Sequence, residues 1–212
     1  ILNEYEIFIR NNAALSIIKK VVQKEEASMS KCMSSLGVFG LGTAERGEKK
    51  PTSSTYVLLS SAGRSYIEKA YIHQGMEYID KWKVIIGKAT SAGAATANRD
   101  GLRKVIATLD VLEPNAVCTF SYFIGGAFST ENEAQNCRAY LATKFARFLL
   151  LQCLSSINIT KDRFRFVPIQ DFSKVYNDDM LYQMYGFTPQ EIALIESTIK
   201  PMDAGGDNDA ES

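Results

Sequence analysis

Thr130-Glu131-Asn132-Glu133-Ala134-Gln135-Asn136-Cys137-Arg138-Ala139-Tyr140-Leu141-Ala142-Thr143-Lys144-Phe145-Ala146-Arg147-Phe148-Leu149 opens the stretch that decides the fold, and that stretch runs on to Phe172. Thr130 with Glu133 three residues later has the form of a capping box, in which two side chains satisfy free N–H groups at a helix start. Ala134, Cys137, Leu141, Phe145, Phe148 and Leu149 then recur at helical spacing, which predicts one long amphipathic helix with a single apolar face. Tyr140, Lys144 and Arg147 share a different face, expected to be a solvated basic edge. Beyond the helix, Arg163-Phe164-Arg165-Phe166-Val167 reads as a short extended segment stopped by Pro168.

Around that stretch, 212 residues at 46% hydrophobic are enough to bury a sizeable core. The net charge is zero, which argues against a uniformly basic coat for nucleic acid. The average hides a gradient: residues 31–110 carry 12 Lys and Arg against 7 Asp and Glu, while residues 161–212 carry 5 against 10. Such a division suggests one surface turned toward an anionic partner. Cys32, Cys118, Cys137 and Cys153 lie far apart with no CxxC pair, and His73 is the single histidine, so no zinc set is expected. Buried free thiols in a reducing cytoplasm fit them better than two disulfides. No apolar run approaches the ~20 residues of a membrane span, and no signal-peptide pattern opens the sequence. Ile1 in place of a methionine leads to the expectation of a piece of a longer protein.

Going outward toward the N-terminus, Ala116-Val117-Cys118-Thr119-Phe120-Ser121-Tyr122-Phe123-Ile124-Gly125 reads as one strand leading through Gly125-Gly126 to the helix. Trp82-Lys83-Val84-Ile85-Ile86-Gly87-Lys88 and Thr55-Tyr56-Val57-Leu58-Leu59-Ser60 read as further strands, the latter turned by Gly63. Residues 65–71 are compatible with a helix start, and 89–98 form a small-residue loop of the kind that carries function. The run Leu36-Gly37-Val38-Phe39-Gly40-Leu41-Gly42-Thr43 is punctuated by glycine but lacks the GxGxxG or GKS/GKT arrangement of a phosphate cradle. Residues 13–24 are expected to form a helix. Toward the C-terminus, Asn177 or Asp178 should cap a short helix ended by Gly186. Thr188-Pro189-Gln190-Glu191 should start another, striped by Ile192, Ile195 and Ile199 and stopped by Pro201. The expected fold class is α+β, with a mixed-sheet domain over 36–128 and a helical support region over 129–202. A helical lead-in or linker over 1–35 precedes them, and a weakly packed acidic tail over 203–212 follows.

No catalytic constellation assembles from these residues. His73 stands alone for any Ser/His/Asp or Cys/His relay, Asp178-Asp179 serves as well for a helix cap as for a metal, and Asp171 lacks a nuclease's PD…ExK spacing. There is no Asn-Pro-Pro-Tyr-type motif and no glycine fingerprint for an adenosyl cofactor. Binding is the better-supported class. Arg46, Lys49, Lys50, Arg64, Lys81, Lys83, Lys88, Arg99, Arg103 and Lys104 are spread over glycine-rich loops and strand edges, interleaved with Ser60, Ser61, Thr90, Ser91, Thr96 and Asn98. Cations and small hydroxyls contact phosphate; Arg, Asn, Gln and Lys on shaped loops read base edges.

Several stretches together resemble the C-terminal, target-recognition region of bacterial adenine-specific DNA methyltransferases of restriction–modification systems. They are Phe39-Gly40-Leu41-Gly42-Thr43; Ile79-Asp80-Lys81-Trp82-Lys83-Val84 with Lys88 and Ser91; and Glu113-Pro114 with Val117-Cys118-Thr119. Farther on they are Glu133-Ala134 with Asn136 and 140–149, then Phe166-Val167-Pro168-Ile169-Gln170-Asp171-Phe172, then Leu181-Tyr182-Gln183-Met184-Tyr185-Gly186 through Ile195-Glu196. The sequence departs from the family's Lys-x-Thr-Gln-like stretch at Ser156-Ile157-Asn158-Ile159-Thr160-Lys161. The resemblance implies a bacterial, cytoplasmic part that reads double-stranded DNA for a methyltransferase domain lying upstream. S-adenosylmethionine is then the cofactor of the intact enzyme, with no cofactor, no catalytic residue and no membrane contact in this part. On that reading Lys83, Lys88, Ser91, Arg99 and Arg103 face the DNA groove, with Arg46, Arg64, Lys144 and Arg147 as further contacts. The alternative is a protein-interaction module that docks a methyltransferase or nuclease subunit.

Overall fold

The computed structural model describes residues 12–90, 101–154 and 158–202, and over these the chain is α+β. Ser91, Arg99, most of the 89–98 loop and the 203–212 tail lie outside the described residues. Among the described residues, six strands form two sheets of three. In the first, β1 (Thr55–Ser60) pairs antiparallel with β2 (Gly63–Glu68) and parallel with β5 (Ala116–Cys118). In the second, β3 (Trp82–Gly87) is the centre between β4 (Leu109–Leu112) and β6 (Tyr122–Phe128), all antiparallel.

The second sheet is a wall between two apolar cores. On one face Val84, Ile86, Leu109, Val111 and Phe123 join the larger core, which the helices complete. On the other, Ile85, Leu112 and Ile124 join a smaller core with Leu58, Ile67 and Val117 of the first sheet. A strand buried on both faces reads as a continuous apolar run, and β3 has that pattern; β1 alternates because only its Tyr56-Leu58-Ser60 side is covered. Gly125 is the extra residue of a bulge: Val84 pairs with Gly126 and Ile85 with Ile124. A Cβ on Gly125 would come within 2.8 Å of Ile86 Cδ1, so a larger residue there would force the Ile86 side chain to shift.

Five α-helices accompany the sheets among the described residues: α1 (Leu15–Val22), α2 (Glu131–Ala142), α3 (Lys144–Cys153), α4 (Asp178–Met184) and α5 (Pro189–Glu196). Part of the expected lead-in is core, since Ile17, Ile18 and Val21 of α1 are buried in it. Lys20 on its other side donates to Gly186 O at 2.8 Å and pairs with Glu191 at 2.7 Å, tying α1 to the end of the chain.

The expected single long helix is two. Thr143 adopts an extended conformation (φ −60°, ψ 152°), and its hydroxyl donates to Tyr140 O at 2.6 Å while accepting from Ala146 N at 3.1 Å. One threonine thus closes α2 and caps α3. Asp178 caps α3 from 34 and 33 residues away, accepting from Lys144 N at 3.0 Å and Phe145 N at 2.8 Å. Asn177, not Asp178, caps α4. The other caps are where the sequence puts them: Thr130 accepts from Glu133 N, Thr188 and Glu191 make a full capping box, and Gly186 ends α4 at φ 62°.

Three further expectations change. Residues 65–71 are the body of β2 and a 3₁₀ turn (Lys69–Tyr71), not a helix start, because Glu48 and β1 supply both edges of β2 with backbone partners. The strand expected over 116–125 is two strands, broken by a turn at Thr119-Phe120-Ser121 that carries the chain from one sheet to the other. The extended segment expected over 163–167 begins inside a 3₁₀ turn, Lys161–Phe164. From there Met29 N donates to Val167 O at 2.8 Å and Ile169 N to Ala27 O at 2.7 Å, fastening 166–169 beneath the N-terminal segment.

Candidate nucleic-acid interface

The C-terminal end of β3 gathers loops from four parts of the chain. Lys88 N donates to Ser121 O at 2.8 Å, Gly87 N to Thr108 O at 2.9 Å and Ile159 N to Lys88 O at 2.8 Å. Thr90 bridges to Ile106 and Ala89 to Asn158. Tyr122 OH, donating to Ser60 O at 3.4 Å, brings the β1–β2 turn to the same end. Lys88 lies over the half-exposed Phe120 ring, its Nζ 4.6 Å from the ring centre, and neither Lys88 nor Arg103 has an ion-pair partner among the described residues. A lysine parked on an aromatic face keeps its charge available to solvent and phosphate.

Arg103 is held by its backbone: its N donates to Thr198 O at 2.9 Å and its O accepts from Lys200 N at 3.0 Å, the two sides of a parallel bridge to Ile199. Two residues on, Val105 has φ 68° while Ile106 N donates to Lys104 O at 2.9 Å. This is a γ-turn with a β-branched centre, a strained arrangement. Buried side-chain packing holds it, since Val105 is in the larger core.

The remaining expected contacts separate by environment. Lys83 is 0% exposed at the far end of β3, its Nζ donating to the carbonyls of Tyr78 (3.0 Å), Ile79 (3.4 Å), Lys81 (2.7 Å) and Glu113 (2.9 Å). It fastens the 78–81 turn to the β4–β5 connection and does not face a DNA groove. Burial lowers its pKa to about 8. Arg147 is likewise corrected: at 1% exposure its Nε donates to Ala142 O (2.9 Å) and Thr143 O (3.3 Å), closing the carbonyl end of α2, and Nη1 donates to Lys104 O at 3.1 Å. Burial lowers its pKa to about 10. Tyr140, expected on the same solvated edge, is also buried and donates to Pro168 O at 2.8 Å. Arg64 makes a two-pronged pair with Glu113 (2.5 and 3.1 Å), and Lys144 pairs with Glu196. Arg46 is exposed in the 44–50 loop, donating to Thr43 O and Glu45 O.

The blocks behind the family resemblance meet in the interior. Asn136 Nδ2 donates to Phe172 O at 2.9 Å and Tyr140 to Pro168, so the 133–149 and 166–172 blocks brace each other. His73 is exposed and has no hydrogen bond or ion pair among the described residues; those residues hold no group of three metal-ligating side chains. The four cysteines are free thiols; burial raises Cys118 to about 12 and Cys153 to about 11. No helix among the described residues is long and apolar enough to cross a membrane.

Sequence reasoning passed over Phe120, the platform under Lys88, and Gln152. The signal for Gln152 was present: it is a lone amide after Leu149-Leu150-Leu151 in an otherwise apolar helix face. The chain matches no protein-family model, no curated protein and no solved structure.

Proposed function

We propose that this chain is a DNA target-recognition part, working with an adenine methyltransferase domain of a restriction–modification system that binds S-adenosylmethionine and carries out the chemistry. The observation that carries the reading is the cluster at the C-terminal end of β3. There Lys88, without an acidic partner among the described residues, stands with Thr90 and Ser121 on loops converging from separate strands, and Arg103, likewise without one among those residues, lies three residues before Ile106, the bridge partner of Thr90. Loops anchored at their bases by a sheet are a common way to present base-reading side chains, with cations and hydroxyls on phosphate around them. The family resemblance supplies the rest: it covers the interior blocks and Lys88, and it departs at 156–161, the stretch that meets the β3 end through Asn158 and Ile159.

The test is fluorescence anisotropy with random duplex DNA across a salt series. A footprint of about three phosphates predicts an affinity loss of ~40-fold between 50 and 200 mM salt. Lys88→Ala should weaken every sequence alike, and Arg103→Ala should relax discrimination once a cognate site is known. Binding unchanged by salt and by Lys88→Ala would sink the proposal.

A docking module is the second reading. It is favoured by Val175, Met180 and Met184, exposed at 62%, 46% and 38%, the two methionines one turn apart on α4. Salt-insensitive capture of the methyltransferase domain, lost in Met180→Lys, would support it over DNA reading.

A further inference from the structure

We infer that the cavity between Arg103 and α3 is a binding site for one unpaired nucleobase, held between the Arg103 guanidinium and the Gln152 carboxamide oxygen. The cavity measures about 400 Å³ and is walled by Phe148 and Leu151 of α3, by Gly101, and by Ser197 and Thr198 beyond α5. Two polar atoms of its lining are buried without a hydrogen-bond partner among the described residues: Arg103 Nη1 and Gln152 Oε1. Gln152 as a whole is 3% exposed. Its Nε2 donates to Phe148 O at 3.2 Å, which fixes the amide orientation, since the opposite one would set two oxygens against each other. The Oε1 is therefore an acceptor waiting for a donor. A buried polar atom left unpaired costs about 1–3 kcal/mol, and two in one cavity call for an explanation.

The chemistry of the lining narrows the occupant. Ser197 Oγ and Thr198 Oγ1 both donate to Leu194 O, so their oxygens too are left as acceptors. No carboxylate lines the cavity among the described residues. A phosphate would satisfy Arg103 but set its oxygens against Gln152 Oε1. A carboxamide would satisfy both groups and leave most of the volume empty. A nucleobase offers an acceptor and an N–H donor on one planar edge, with flat faces suited to the Phe148 and Leu151 wall. A base stacked inside a duplex cannot enter a cavity, so the occupant is extruded or single-stranded. The site is one that holds the base. The inference rests on the nucleic-acid reading above for its biological source, but free nucleosides test it without that reading.

The experiment uses the full chain, ¹⁵N-labelled, titrated with each of the four nucleosides while the Gln152 side-chain amide resonances are followed. In parallel, anisotropy compares a duplex carrying one unpaired base with the fully paired duplex. The expected result is a saturable Gln152 shift with at least one nucleoside and about tenfold tighter binding of the bulged duplex. Gln152→Leu should abolish that preference while keeping the salt dependence. Gln152→Glu, which keeps an acceptor at the site, should retain the preference for the bulged duplex. If Gln152→Leu does not fold, the wild-type shift decides. No Gln152 shift with any nucleoside, or a preference that survives Gln152→Leu, overturns the inference. A nucleoside shift without affinity for paired DNA leaves the cavity standing and removes the DNA-reading proposal; salt-dependent duplex binding without the shift does the reverse.

Discussion

The Lys83 ammonium has three hydrogens and four backbone carbonyls around it, whereas five residues on the Lys88 ammonium has an aromatic ring and solvent. The two lysines look alike in sequence, each next to an apolar strand run, and only the folded turn at 78–81 tells them apart. Lys83→Met removes the shared partner of four carbonyls and should destabilise the chain by about 3 kcal/mol, read from the urea midpoint. Lys88→Ala should shift that midpoint by no more than about 0.5 kcal/mol and act on DNA affinity instead. Equal destabilisation by both would remove the distinction drawn between them. The same blindness explains Arg147: i, i+4 and i+7 spacing places it with Tyr140 and Lys144, but a capping role toward α2 depends on where that helix stops. Of the expected DNA contacts in the described residues, the sequence could mark charge; it could not mark burial or pairing.

At the scale of elements, the kink at Thr143 shows why local signals succeed in some places and not in others. Thr130, Thr188 and Gly186 act within a few residues of themselves, and all three boundaries are readable from the sequence. The α2–α3 break has no proline or glycine; it is fixed by Thr143 together with Asp178, which is remote in sequence. Asp178→Ala leaves two N–H groups of α3 without acceptors and should cost about 2 kcal/mol, with Asp178→Asn recovering part of it. Loss of stability no greater than for Asp179→Ala, an exposed neighbour, would assign the kink to Thr143 alone. β1 and β3 were legible because alternation and continuous apolarity match one-sided and two-sided burial. β2 was not: its exposed edge carries Gly63-Arg64-Ser65, and strand identity comes from pairing with β1. β4 escaped notice for a related reason, being four residues long with Asp110 exposed in the middle.

For the whole molecule, the buried thiols and phenols set an alkaline limit. Burial raises Cys118 to about 12, Cys153 to about 11 and Cys137 well above the usual thiol range. Burial also raises Tyr140, Tyr182 and Tyr185, with Asp178 adding to Tyr182 and Glu26 to Tyr185. Above about pH 9 the unfolded chain releases these protons while the native chain keeps them, so the native state binds more protons and stability falls as pH rises. Lys83 works in the opposite sense: native at about 8 and higher when unfolded, it adds stability between about pH 8 and 10.5. Arg147 does the same above about pH 10. One lysine and one arginine are outnumbered. Urea midpoints under reducing conditions should hold level from pH 8 to 9 and decline beyond, by roughly 1 kcal/mol per pH unit for each fully buried thiol. A midpoint constant to pH 11 would contradict this account.

The wall formed by β3, β4 and β6 has one more consequence. Because Val84 and Ile86 belong to one core and Ile85 to the other, neither core can open without stripping a face from the same three strands. Slowly exchanging amides should therefore concentrate in β3 and its partners, with a common opening free energy equal to that of global unfolding. The β1–β2 hairpin and α4 should exchange earlier, as rims around a shared hinge-free centre.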